Sequence, residues 1–191
     1  MKVFKFFLVT VLLFSIIFTE NGFSWENKKK LEELVNAAPL IVLGNVLEVK
    51  SQIEEYLGQD DFIFTYMKLS VQTFYKGDNA EQIITIKIPG GQIGDRVIGG
   101  ERNFKFAKNE KVLLFLTPIE NSYFEIYSIS GKLSIKENED GEYFDCSLLK
   151  EDEISKYGYN STLKFEKIVS RIESYLTEKG GVRKWNGKIF L

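Results

Sequence analysis

The sequence predicts a mainly β protein, with a small barrel flanked by a short N-terminal helix and a longer C-terminal helix. Runs in which apolar and polar residues alternate recur along the chain, and they are rich in Val, Ile, Phe and Tyr. Such runs are typical of strands. Short turns containing Gly and Asp separate them. Only two segments place apolar residues at helical spacing, so we expect few helices.

The first 24 residues have the composition of an export signal. Lys2 and Lys5 precede an apolar run from Phe6 to Phe18, and small or polar residues follow at 22–24. A bilayer-spanning helix needs about 20 apolar residues, so the run is too short for an anchor. We therefore expect cleavage after Ser24 and a secreted or periplasmic protein that does not span the membrane. Residues 25–191 are then one domain.

The first elements after the signal are a helix and a long strand. "KKKLEELVNAAP" has apolar residues on one helical face and ends at Pro39. "LIVLGNVLEVKSQIEEY" is a strand with a bend or bulge at Gly44. "FIFTYMKLSVQTFYKG" and "QIITIKIP" follow after short turns, which predicts an antiparallel meander of three strands.

The second half of the chain completes the predicted barrel. "KVLLFLT" is a strand buried on both faces, and "YFEIYSI" is the fifth strand. Ser130-Gly131 and Asp140-Gly141 are predicted to turn two further hairpins, and residues 161–179 form the C-terminal helix. Three meandering strands and a fourth after a long connection fit a five-stranded OB-like Greek-key barrel at about 37–148, with an added hairpin.

The connection between the third and fourth strands is rich in glycine. Five of the eleven residues from Gly90 to Gly100 are glycine, in a chain with fifteen. Clustered glycines beside a strand indicate special backbone angles or a close approach by another group. The segment is either a crossover or a recognition surface, because binding residues concentrate on loops held by a rigid scaffold. The candidate binding residues are Gly90, Gly91, Gln92, Asp95, Arg96, Glu101 and Arg102.

Composition excludes several chemistries. The chain has no histidine and one cysteine, Cys146, which excludes His-based triads, Cys–His pairs, imidazole-ligated zinc and an internal disulfide. Cys146 is expected to be a core residue. Loss of the signal leaves 23 basic and 26 acidic residues, since it removes Lys2, Lys5 and Glu20. This slightly acidic balance disfavours nucleic acid as a partner. No cofactor, metal site or catalytic residue is predicted.

The order of five segments resembles a known group of proteins. "AAPLIVLGNVLEV", "FTYMKLSVQTFYKG", "ITIKIPGG", "NEKVLLFLTP" and "GKLSI", within residues 37–136, resemble uncharacterised exported bacterial proteins and the netrin-like barrel of tissue inhibitors of metalloproteinases. Those inhibitors block a catalytic zinc with an N-terminal cysteine held by disulfides. This chain has neither the terminal cysteine nor the bridges, so the resemblance implies the barrel alone.

The sequence favours a non-enzymatic exported binding module. Its expected partner is an exported protein, such as a peptidase, or a cell-envelope polymer, contacted by the glycine-rich loop 89–103 and the adjacent barrel rim. Two alternatives remain open. One is a hydrolase that uses a pair of carboxylates, because such pairs are spatial and leave no sequence pattern. The other is a structural subunit of a surface assembly.

Overall fold

The fold is described by a computed structural model for residues 28–77, 81–99, 104–150 and 162–178. The described chain is mainly β, as predicted. Its elements in chain order are α1 (Leu31–Ala37), β1 (Leu40–Tyr56), β2 (Gln59–Lys76), β3 (Ile83–Pro89), β4 (Gly91–Ile93), β5 (Arg96–Ile98), β6 (Lys111–Pro118), β7 (Tyr123–Ile126), β8 (Lys132–Asn138), β9 (Gly141–Asp145), β10 (Thr162–Lys164) and α2 (Phe165–Glu178).

Five of the strands form a partly closed ring. β1, β2 and β3 pair as the predicted antiparallel meander. β3 then pairs in parallel with β7, β7 pairs antiparallel with β6, and β6 pairs antiparallel with β1. The first strand of the meander thus meets the strand that follows the long connection. This is the predicted five-stranded barrel, with β7 as its fifth strand.

The bend or bulge predicted at Gly44 is present in β1 as an irregularity in its pairing. The register of β1 against β2 shifts between Leu43 and Gly44. A Cβ atom at Gly44 would lie 2.4 Å from the backbone oxygen of Ser70 on β2, which is closer than real Cβ contacts. Glycine is therefore required here because the two backbones approach each other where the strand bends into the barrel.

β6 is buried on both faces, also as predicted. Val112, Leu114 and Leu116 belong to an apolar cluster drawn from the five ring strands, which is the barrel interior. Leu113 and Phe115 belong to a second cluster that also contains α1, α2, β8 and β9. All five side chains are fully buried. β6 therefore separates the barrel interior from a second core on its outer surface.

The second core explains the remaining elements. Leu31, Leu34 and Val35 of α1 are buried in it, together with Ile168 and Ile172 of α2. β8, β9 and β10 extend the sheet beyond β6 and form one of its walls. Cys146 is fully buried in the same cluster, which confirms it as a core residue.

Two details differ from the sequence-based expectations. The Ser130-Gly131 hairpin is wrong: Ile129–Gly131 is a 3₁₀ turn, and β7 and β8 both pair antiparallel with β6, so they run in the same direction. The hairpin at Asp140-Gly141 is confirmed. The C-terminal helix begins at Phe165, because Thr162–Lys164 pairs with β9 as a strand. The predicted signal, residues 1–24, lies outside the described residues.

No helix in the described parts of the chain is long and apolar enough to cross a membrane.

Two-sided burial of β6 predicts that neighbouring truncations are equally damaging. Leu113→Ala and Leu114→Ala should each lower the free energy of unfolding by about 2 to 5 kcal/mol, because each leaves a cavity in a different core. Val97→Ala, at an exposed position of β5, is the control and should change it little. Urea unfolding measures all three. If Leu113→Ala alone lowered the free energy of unfolding only slightly, the outer cluster would not stabilise the fold as a second core.

Candidate functional site

The glycine-rich segment is partly a β-hairpin rather than an open loop. β4 and β5 pair antiparallel around a two-residue turn, Gly94-Asp95. The hairpin lies against the extended part of β1 and β2: the Gly90 amide donates to the Ile63 carbonyl at 2.8 Å, and the Thr65 hydroxyl donates to the Gly90 carbonyl at 2.8 Å. We call residues 47–66, where β1 and β2 continue past β6, the ribbon.

Gly91 is the point of closest approach between hairpin and ribbon. Its φ is +145°, and a Cβ atom there would lie 2.3 Å from the Thr65 Oγ1 atom and 2.8 Å from the Ser51 Oγ atom. These two hydroxyls are hydrogen-bonded to each other at 3.0 Å. The group that approaches Gly91 is therefore the protein's own ribbon.

Five of the predicted binding residues lie together on this hairpin or at its start. Gly90 and Gly91 dock it on the ribbon, and Gln92 donates to the Gly94 carbonyl at 2.9 Å. Arg96 forms an ion pair with Asp61 of β2 at 2.5 Å, and both side chains are substantially exposed. Asp95 is exposed in the turn. Glu101 and Arg102, also predicted, lie outside the described residues.

The ribbon and hairpin also carry exposed apolar side chains that the sequence analysis did not single out. Among the described residues, six of the seven exposed large apolar or aromatic side chains lie here, and Ile83 is the exception. Alternation alone does not distinguish these positions from core positions. The six are Leu47, Val49, Ile53, Tyr56, Leu57 and Val97.

Near the turn of the ribbon, aromatic rings cover the face opposite to the one that contacts the β4–β5 hairpin. Tyr56, Phe62 and Phe64 contact one another, with ring centroids 5.0–5.2 Å apart. The Lys87 ammonium lies 4.0 Å from the centre of the Phe64 ring, where the electron-rich face attracts a cation. Tyr66 contacts Tyr123 edge to face.

A carboxylate completes this face. Glu54 accepts hydrogen bonds from the Lys87 ammonium at 2.7 Å and from the Tyr66 hydroxyl at 2.5 Å. The Gln52 amide donates to it at 2.6 Å. Glu54 and Lys87 thus form one ion pair, which lies against the aromatic side chains of this face.

The electrostatics of the cluster keep Glu54 ionised. Partial burial opposes ionisation, but hydrogen bonds from Lys87, Tyr66 and Gln52 outweigh it, so the pKa of Glu54 lies below its usual value. Burial and the hydrogen bond to Glu54 raise the pKa of Tyr66. For Lys87 burial lowers the pKa, and the hydrogen bond to Glu54 more than reverses this. The site thus carries a stable ion pair at neutral pH.

Metal-ligating side chains are not gathered anywhere in the described segments: no group of three or more Asp, Glu, Cys or His residues has a suitable arrangement there.

No protein-family model matches the chain, and no curated protein matches it either. The resemblance to exported bacterial proteins and to netrin-like barrels therefore stays a prediction.

The docking of the hairpin predicts that Gly91 tolerates no side chain. Gly91→Ala should lower the free energy of unfolding by about 1 to 3 kcal/mol, because it strains the backbone and displaces the Thr65 hydroxyl. Gly94→Ala is the matched control: its φ is also positive, at 58°, but no atom lies within 4 Å of the added Cβ. Chemical denaturation measures both. An equal loss for the two variants would contradict close docking at Gly91.

The lowered pKa of Glu54 predicts a pH-dependent contribution to stability. A carboxylate whose pKa falls on folding stabilises the protein above its unfolded pKa, and this contribution is lost as the pH falls through the folded value. Glu54→Gln should therefore be less stable than the wild type at neutral pH, and the difference should shrink as the pH falls below 4.5. Glu55→Gln controls for the loss of one charge. Thermal unfolding between pH 3 and 7 measures the stability of the variants, because carboxyl groups ordinarily titrate within this range.

Proposed function

We propose that this protein is an exported, non-enzymatic binding module whose partner is another exported protein. The contact surface is the end of the ribbon together with the β4–β5 hairpin. The proposed surface includes the glycine-rich segment that the sequence predicts, and it adds the neighbouring ribbon. The protein acts in the periplasm or outside the cell, where the predicted signal would deliver it.

The observation that carries the proposal is Leu57. It occupies the two-residue turn between β1 and β2, its φ is +53°, and 87% of the residue's surface is exposed. Such turns favour Asn, Asp or Gly, because a bulky side chain is strained at positive φ. Leu57 adds no packing to offset this strain. A strained and exposed apolar residue is therefore best explained by contact with a partner.

The surroundings of Leu57 support a protein partner. Apolar and aromatic side chains at the centre of a surface and polar side chains at its rim are the usual arrangement of protein interfaces. Here Ile53, Tyr56 and Val97 supply exposed apolar surface, and Gln92, Asp95 and Arg96 supply polar groups. Glu101 and Arg102, which the sequence also predicts as binding residues, lie outside the described residues. An envelope polysaccharide would make less use of exposed aliphatic side chains, so a protein is the better candidate.

The carboxylate hydrolase has less support. An acid catalyst of that class requires a carboxyl group with a raised pKa beside a second carboxylate. Glu54 has a lowered pKa and is held by a lysine and a tyrosine. Glu125 has a raised pKa, but burial is the sole cause, without a charged partner that would tune a catalytic group.

Replacement of Leu57 tests the proposal. Leu57→Asn should retain or slightly increase stability, since Asn tolerates positive φ, and should weaken binding to the partner at least tenfold, as expected for an interface anchor. The full chain and the variant are used to capture partners from the exported fraction of the native cell, and the affinity of each captured protein is then measured by calorimetry.

Ile83→Asn provides the control, because Ile83 is also an exposed aliphatic residue, at 52% against 87% for Leu57, but lies outside the ribbon and hairpin. It should bind the partner like the wild type. If Leu57→Asn bound every captured protein with unchanged affinity, the ribbon end would not be the binding surface.

A further inference from the structure

In the described parts of the chain, no strand pairs with one edge of β1 where β1 leaves the barrel. It pairs with β6 only over residues 40–45, and the Val46 backbone makes the last contacts on that side. From Leu47 to Tyr56, β2 lies along one edge, and no described strand lies along the other. Unpaired backbone N–H and C=O groups on a long edge form a template for another strand.

We propose that a second copy of this chain pairs antiparallel along this edge, about a two-fold axis that passes through Gln52. The proposal concerns self-association through the backbone edge of β1. It is separate from the partner-binding function proposed above, because the dimer would use the backbone edge of β1, whereas the partner would contact the side chains of Leu57 and its neighbours. The two ribbons together would form a four-stranded sheet.

The charges on the edge select this register. A two-fold axis perpendicular to the sheet keeps each face on the same side, so residues of equal parity face each other. With the axis at Gln52, Lys50 of each copy lies opposite Glu54 of the other. Opposite charges in directly facing positions stabilise a strand pair, and like charges destabilise it.

The neighbouring registers are less favourable. An axis at Lys50 would place the two Lys50 side chains opposite each other. An axis at Ser51 would pair Glu48 with Glu54 twice, and an axis at Ile53 would pair Lys50 with Tyr56, without any ion pair. An axis at Val49 would also match opposite charges, Lys50 with Glu48, but it could pair only residues 47–51, because Val46 is already hydrogen-bonded to residues 109 and 110. The Gln52 register matches opposite charges, has no like-charge contact and spans the longer segment 48–56.

The local structure suits this pairing. β1 is regularly paired with β2 from Glu48 to Glu54, so the proposed central segment, 50–54, contains no bulge. Lys50 is exposed and has no ion-pair partner among the described residues. Charged residues often protect an edge from pairing. Here like charges disfavour the Lys50 and Ser51 registers, and the Gln52 register places the carboxylate of Glu54, which also contacts Lys87, opposite Lys50.

Charge reversal and mixing provide the sharpest experiment. Lys50→Glu and Glu54→Lys, each made in the full chain and purified as the cell exports it, place like charges opposite each other in the homodimer. Each should raise the dimer dissociation constant about tenfold. An equimolar mixture should restore association, because both facing pairs are then oppositely charged. Sedimentation over a wide range of protein concentration measures the three samples.

Lys164→Glu is the control for charge reversal. Lys164 is exposed on β10, at the far end of the same sheet, so this variant should dimerise like the wild type. Circular dichroism checks that every variant keeps the β-rich fold.

A cysteine at the axis tests the register without altering charge. Gln52→Cys should form an intermolecular disulfide under mild oxidation, because residues facing each other across antiparallel strands have Cα atoms about 4.5 to 5.5 Å apart, within disulfide range. Ser170→Cys, exposed on α2, is the matched control. The native Cys146 is fully buried and does not compete.

A wild type that remains monomeric at every concentration would overturn the proposal. So would a dimer that forms no more disulfide at Gln52→Cys than at Ser170→Cys, since another surface would then be responsible. Loss of partner capture by Leu57→Asn with an unchanged dimer would support both proposals separately.

Discussion

The pairing of β1 with β6 is the constraint on which the rest of the structure depends. It closes the ring and makes β6 a wall between two apolar spaces, with five consecutive side chains fully buried. A strand of this kind is stable only if both faces are covered by apolar surface. The barrel strands cover one face, and the helices with β8 and β9 cover the other. The helices are therefore part of the core.

β1 has two roles along its length. Its first part belongs to the ring, and its second part leaves the ring with β2 as the ribbon. One face of the ribbon is partly covered by the β4–β5 hairpin, which lies close enough that Gly91 admits no Cβ atom. No described element packs on the remaining apolar side chains of the ribbon, and these side chains are exposed. The candidate site arises because β1 and β2 extend beyond the part of each strand that belongs to the barrel.

A largely buried ion pair holds the end of the long connection in place where β6 begins. Lys132 of β8 is 91% buried at its side chain, lies 2.8 Å from Glu110, and faces the Phe106 ring. Burial disfavours the charged form of Glu110, but hydrogen bonds from Lys132, the Ala107 amide and Ser134 lower its pKa. A buried charge is tolerated when its partners replace water in this way. The pair ties residues 105–110 to the sheet at the start of β6.

The amino-acid sequence by itself determined seven of the ten described strands, the irregularity at Gly44, the two-sided burial of β6, the core position of Cys146 and the absence of histidine chemistry. These follow from local alternation and composition. Tertiary structure decided that β7 and β8 both pair with β6, that the glycine-rich segment folds as a hairpin, and that Ile53 and Leu57 are exposed. Alternation marks an apolar face, but it does not specify which strand lies beside it or where the opposite wall ends, because those contacts are made by residues distant in the chain.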